Sequence, residues 1–157
     1  MRKPDLDDLQ ARVAARTGLA HPGAVSRIEP GAVFEVADTL VRFPGDRPRT
    51  WHDFRRVIVV QAYNLLGPVD PETVSVVPCS ASQQRVRRGD YLVPAEEKAF
   101  SRPEVVAFST LIMPVLKSAL TSDGYRGVLS PEAYGGLLAR IAANLGAGPW
   151  VAMPPRA

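Results

Sequence analysis

Two β-branched runs, Val57-Ile58-Val59-Val60 and Thr73-Val74-Ser75-Val76-Val77-Pro78, constrain this chain more than any other feature. Each is short, rich in valine and bounded by turn residues, so both read as strands. The first strand of the two extends from Val57 to Tyr63, and its unbroken apolar character is that of a strand covered on both faces. Between the runs, Asn64 to Glu72 carries Gly67-Pro68 and Asp70-Pro71, which marks a turn. The polar ends are equally informative. The first run is entered through Arg55-Arg56, and the second leaves into Cys79-Ser80-Ala81-Ser82. If the runs pair, arginines face hydroxyls at one end of a sheet.

The remaining elements fit around this pair. Gly31 to Val41 reads as an earlier strand through Val33, Phe34 and Val36. Phe43 to Phe54 is a long loop by its Pro-Gly-Asp-Arg-Pro stretch, and long loops in compact domains are often functional. Asp90 to Pro94 is a short strand, and Val105 to Met113 another, stopped by Pro114. Val115 to Leu120 is a short helical or 3₁₀ segment, and Tyr125 to Leu129 a last strand. Ser130-Pro131-Glu132 then supplies an N-cap, a proline at the first helical position and an early acid. Leu137, Leu138, Ile141 and Leu145 form the apolar stripe of that helix, and Gly146 ends it. Gly135 and Gly136 weaken it by about 1 kcal/mol each relative to alanine, and a close helix–sheet approach would account for them. Residues 5–17 predict a further helix through Leu6, Leu9 and Val13, with acids in its first turn and Arg12 and Arg16 near its end. The expected division is an N-terminal helix and linker over 1–29, a β-rich α+β domain over 30–146 and a loose tail over 147–157. Strands joined by short turns favour antiparallel pairing, and a sheet curled into a small barrel hides its edges.

Composition narrows the function classes. The chain has 157 residues, which suits one domain with short extensions, and 15 prolines, which argue against a helical bundle. No apolar run reaches the roughly 18 residues that span a membrane, and the first residues lack the apolar segment of a signal peptide. A single cysteine, Cys79, fits a reducing cytoplasm and excludes an internal disulfide. With two histidines and one cysteine there is no metal-ligand spacing, and no cofactor is implied. The net charge is only +3, but it is unevenly spread. Residues 42–56 hold Arg42, Arg47, Arg49, Arg55 and Arg56 against Asp46 and Asp53, and residues 85–90 hold Arg85, Arg87 and Arg88 against Asp90. Arginine suits bidentate contact with phosphate, so two arginine loops beside paired strands point to an anionic partner as well as to ordinary solvated loops.

The order of pieces resembles the MazF/PemK family of toxin endoribonucleases from bacterial toxin–antitoxin pairs, over about Pro30 to Leu145. Gly31-Ala32-Val33-Phe34-Glu35-Val36 is similar to the family's opening Gly-Asp-aromatic strand. Arg55-Arg56-Val57-Ile58-Val59-Val60 resembles its Arg-Pro-Val-aliphatic strand, and Val76-Val77-Pro78-Cys79-Ser80-Ala81-Ser82 its aliphatic-Pro-x-Thr-Ser segment. Val105-Val106-Ala107-Phe108 and Leu129-Ser130-Pro131-Glu132 match a later strand and the start of a closing helix. The resemblance implies a small SH3-like barrel of the CcdB/MazF type, a cytoplasmic homodimer, metal-independent cleavage of single-stranded RNA, and neutralisation by a cognate antitoxin. By position, Arg55 takes the place of the family's active-site arginine and Ser80 that of its active-site threonine. Arg56 stands where the family has proline, so either arginine could serve. Two departures stand out: Ala32 replaces the usual aspartate, and Ser109-Thr110-Leu111-Ile112 replaces an Asp-Gln-x-Arg pattern. A catalytically inactive module on the same barrel, binding nucleic acid or a protein, is the alternative that these departures leave open.

Metal-free cleavage of RNA uses the substrate's own 2′-hydroxyl as nucleophile. The protein must then move protons and stabilise charge at phosphorus, and an arginine fork suits the second task. On this reading Arg55 or Arg56 holds the scissile phosphate and Ser80 donates a hydrogen bond to it. His52 is the candidate for acid–base work, because imidazole titrates near neutral pH. Arg47, Arg49, Ser82, Arg85, Arg87 and Arg88 are the candidates for RNA binding. Trp51 and Phe54 could stack on bases or pack on the barrel.

Overall fold

The computed structural model describes residues 28–43, 52–61, 72–81, 86–100 and 105–146. Its centre is a meander of β1 (Ala32–Ala37), β2 (Phe54–Val59) and β3 (Thr73–Ser80). In register, Val33 lies opposite Ile58, and Ile58 opposite Val77. These three belong to one buried cluster, whereas Phe34, Val57 and Val76 belong to another. Successive side chains of a strand point to opposite faces, so a continuous apolar run fills two cores at once, as the sequence predicts for β2.

The sheet is completed by β4 (Tyr91–Val93), β5 (Val105–Ala107), β6 (Met113–Leu116) and β7 (Tyr125–Val128). The strand order is β4-β5-β3-β2-β1-β7, with β6 also paired to β3. Every pairing among the described residues is antiparallel. β3 is long enough to serve three neighbours: β6 along Thr73–Val76, β2 from Val76 to Pro78, and β5 at Cys79 and Ser80. Sharing one strand in this way curls the sheet into a half-barrel. Phe34, Val57, Val59, Val74, Val115 and Leu120 fill one of its faces.

The run from Val105 to Met113 is not one strand. β5 ends at Ala107, and a turn follows in which Ser109 N–H donates to Ala107 O at 2.9 Å and Leu111 N–H to Phe108 O at 2.7 Å. Pro114 does not stop a strand but lies within β6, opposite Ser75. A proline has no N–H for the ladder, and an exposed position on a strand with one neighbour tolerates this. The earlier strand ends at Ala37 rather than Val41, where Asp38–Leu40 turns as a 3₁₀ segment. Of the helical or 3₁₀ segment expected over Val115–Leu120, Lys117–Ala119 turns as 3₁₀, whereas Val115 and Leu116 belong to β6. The helix expected over residues 5–17 and the tail over 147–157 lie outside the described residues.

The single α-helix among them, α1 (Pro131–Asn144), closes the other face. The Ser130 side chain accepts from Ala133 N–H at 3.2 Å. Glu97 accepts from Ser130 N–H at 3.0 Å and from the Ser130 hydroxyl, which ties the cap to the turn after β4. Ala133, Leu137 and Ile141, one turn apart, pack with Val33, Ile58 and Val77. The stripe is narrower than its sequence suggests. Leu138 is 37% exposed because it sits one position around from that row, and Leu145 is 74% exposed because it lies beyond the last helical residue.

The paired glycines of α1 separate into two cases. A Cβ on Gly136 would lie 2.6 Å from the Tyr91 hydroxyl and 3.0 Å from its ring, whereas one on Gly135 would meet nothing within 4 Å. Close packing therefore explains Gly136 and leaves Gly135 unexplained. Gly135→Ala is expected to stabilise the fold by about 1 kcal/mol, a rise of about 2–4 °C in Tm. Gly136→Ala is expected to give no such rise, because Tyr91 must move. Thermal melts of the two variants side by side check this.

Candidate active site

β2 delivers two arginines to opposite faces of the sheet. Arg55 and Arg56 are adjacent on β2, with Val36 opposite Arg55 and Glu35 opposite Arg56. Arg55 points inward and is 8% exposed. Its Nε donates to Asp38 Oδ1 at 2.5 Å, and its Nη1 donates to the Cys79 carbonyl at 3.2 Å. Its guanidinium carbon lies 4.7 Å from the centroid of Phe43, which meets Phe108 edge-on at 5.7 Å. A buried cation is stable only when paired and hydrogen-bonded, and Asp38, 1% exposed, supplies the charge. The second oxygen of Asp38 accepts from the backbone N–H of His52 at 3.2 Å. One carboxylate thus fixes both Arg55 and the loop end that carries His52.

Arg56 points the other way. Its Nε donates to Glu35 Oε1 at 3.2 Å, and its guanidinium carbon stands 5.7 Å from the Phe100 ring centroid. The other Glu35 oxygen accepts from Arg126 Nη2, on β7, at 2.5 Å. Arg126 and then Arg56 hold the Glu35 carboxyl below its ordinary range, against burial, which works to raise it. The side chains of Arg56 and Glu35 are 22% and 26% exposed, so this cluster meets solvent where the Arg55 pair does not.

Between these groups opens a cleft of about 350 Å³. Glu35, His52, Arg55, Arg56 and Ser80 form its polar part, and Phe54, Cys79, Ala81, Phe100 and Val105 the rest. Phe54 is 51% exposed, which leaves part of an aromatic residue open to solvent. Cys79 is 4% exposed, and burial pushes its thiol well up against the pull of the Arg55 and Arg56 charges. It is a neutral wall residue rather than a nucleophile. Among the described residues no group of three His, Cys, Asp or Glu side chains is placed to hold a metal ion, and no helix is long and apolar enough to cross a membrane.

The cleft brings together the four residues that the sequence suggested for catalysis, His52, Arg55, Arg56 and Ser80, and the stacking candidate Phe54. Arg87 and Arg88 are exposed on the turn before β4, where Arg87 N–H donates to Asp90 Oδ2 at 2.9 Å, and they are not among its lining residues. Arg47, Arg49, Ser82 and Arg85 lie outside the described residues, as does Trp51. The Ser109–Ile112 stretch stays out of the cleft: the Ser109 hydroxyl donates to Gly89 O, and Asn144 Nδ2 donates to Ser109 Oγ at 3.2 Å. Sequence reading passed over Glu35, Asp38 and Arg126. A carboxylate amid the apolar residues of β1 was the available sign for Glu35, but its partner depends on a register set across the long loop.

No protein-family model matches the chain, and no curated protein matches it in sequence. Solved structures do match it in fold. A mycobacterial endoribonuclease in complex with its cognate antitoxin superposes with a TM-score of 0.56 at 14% identity, over 79% of this chain and 99% of that one. A second mycobacterial endoribonuclease gives 0.56 at 12% identity, over 81% and 96%. A MazE–MazF structure from Deinococcus radiodurans gives 0.53 at 11% identity, over 76% and 95%. The curled antiparallel sheet closed by one C-terminal helix is therefore the MazF-type fold, shared with toxin endoribonucleases at low sequence identity.

Proposed function

We propose that this protein is the toxin of a toxin–antitoxin pair and cuts single-stranded RNA without a metal ion. One observation carries the reading: Arg56 opens into a single cleft that Ser80 and His52 also line, on a fold shared with endoribonucleases. Arg56 holds the scissile phosphate and stabilises the charge that grows on it. Ser80 donates a hydrogen bond to the same phosphate. His52 supplies the proton that the departing 5′-oxygen needs. Arg55 takes the other part of the work. Its bonds to Asp38 and the Cys79 carbonyl keep the cleft floor and the His52 loop end in place. Phe54 offers a ring for a base to stack on, and Arg47, Arg49, Ser82, Arg85, Arg87 and Arg88 extend the contact along the RNA backbone. The protein acts as a cytoplasmic homodimer, and a cognate antitoxin is its protein partner.

Expression of the chain alone is expected to arrest bacterial growth, and the purified protein to cut RNA in the presence of EDTA. A second reading has its own support. The Ser109–Ile112 turn brings no arginine to the cleft, as a binding module that has lost catalysis would have it. RNA bound in a salt-sensitive manner and recovered uncut under the same conditions would establish that reading in place of the first.

A further inference from the structure

Cleavage through the 2′-hydroxyl needs a group to take the hydroxyl proton, and arginine and serine are poorly suited to this. Among the described residues Glu35 is the only carboxylate that lines the cleft. We propose that Glu35 is the general base of the reaction, with Arg126 as the cation that holds it in position. The inference rests on the ribonuclease reading above and adds two residues to it.

Geometry favours the assignment. The attacking 2′-oxygen lies next to the phosphate it attacks, so the base must sit beside the cation that holds that phosphate. Glu35 and Arg56 are cross-strand partners, with Oε1 and Nε 3.2 Å apart. An ionised carboxylate offers about four lone-pair sites. One bond from Arg56 and one from Arg126 fix its plane and leave acceptor capacity on each oxygen. The groups facing Glu35 are Arg56 from β2 and Arg126 from β7, and His52 and Arg55 line the same cleft. The two facing arginines keep Glu35 ionised at neutral pH, ready to accept a proton. When a phosphate arrives at Arg56, its negative charge offsets that of the arginine and raises the proton affinity of the carboxylate. The base thus strengthens when substrate is bound.

The step balances without a further reagent. Glu35 takes the 2′-hydroxyl proton as the O2′–P bond forms. The P–O5′ bond breaks, its electron pair stays on O5′, and that oxygen takes a proton from His52. The products are a 2′,3′-cyclic phosphate and a 5′-hydroxyl end.

The test compares wild type, Glu35→Gln, Glu35→Asp and His52→Ala in EDTA on an RNA whose cut linkage is either normal or carries sulfur at the 5′-bridging position. Sulfur leaves without a proton, so it bypasses a general acid but not a general base. Glu35→Gln is expected to lose at least about 100-fold in rate on both substrates, and its binding of a 2′-O-methyl RNA to stay within about threefold of wild type. His52→Ala is expected to recover on the sulfur substrate. Glu35→Asp, which keeps a carboxylate, is expected to retain more activity than Glu35→Gln and guards against a simple loss of structure. Sulfur rescue of Glu35→Gln, a rate within about tenfold of wild type, or a matching loss of RNA binding would overturn the assignment; the last would mean that Glu35 only positions Arg56. A wild-type protein that cuts no RNA overturns the ribonuclease reading itself.

Discussion

Replacing Arg56 with alanine is expected to lower RNA cleavage about 100- to 1,000-fold, the loss of about 2.7–4 kcal/mol that follows removal of one donor to a developing oxyanion. The fold should tolerate the change. Arg56 lines the cleft, and its pair with Glu35 is partly solvated, a setting in which ion pairs contribute roughly 0–1 kcal/mol. Arg126 continues to hold the carboxylate when Arg56 is removed. A melting temperature close to wild type with a collapsed cleavage rate is therefore the expected pair of results, read by thermal denaturation and a single-turnover RNA assay. Lysine at this position should recover part of the rate, because it keeps the charge but not the bidentate fork.

Arg55→Ala should give the reverse balance. Its removal takes from Asp38, which is 1% exposed, the charged bond to Arg55 Nε. Breaking a buried pair in this way costs about 3–5 kcal/mol, a large part of the stability of a domain of this size. The loss should appear in urea unfolding even without substrate. Any loss of cleavage should follow from misplacement of the His52 loop end and the cleft floor. The double variant Arg55→Met/Asp38→Asn is expected to regain stability relative to Arg55→Ala, since it no longer buries the Asp38 carboxylate without the Arg55 charge. Arg55→Ala and Arg56→Ala are expected to differ in this way because neighbouring strand residues face opposite sides of the sheet.

Much of the fold was legible in the sequence because its strands advertise themselves. Val57–Val60 and Thr73–Pro78 have no helical period, and Ser130-Pro131-Glu132 states where α1 starts. The errors came where tertiary context overrode a local rule. Pro114 reads as a stop, yet an exposed place on β6 lets it stay in the sheet. Leu138 and Leu145 fit the helical stripe, but the sheet covers only the row of Ala133, Leu137 and Ile141. The cleft was half legible. Arg55, Arg56, Ser80 and His52 could be picked out because they stand at the polar ends of strands. Glu35, Asp38 and Arg126 could not. Their partners are set by the pairing of β1 with β2 and β7, and Glu35 and Arg126 are 91 residues apart in sequence.

A metal-free transfer to the RNA's own 2′-hydroxyl within the Arg56 cleft leaves its signature in the ends of the cleaved RNA. Purified protein should be incubated with single-stranded RNA in EDTA, and the fragment ends assigned by their response to kinase and phosphatase. Fragments with 5′-hydroxyl and 2′,3′-cyclic phosphate ends are expected. Fragments with 5′-phosphate ends, or RNA that stays intact, would contradict it.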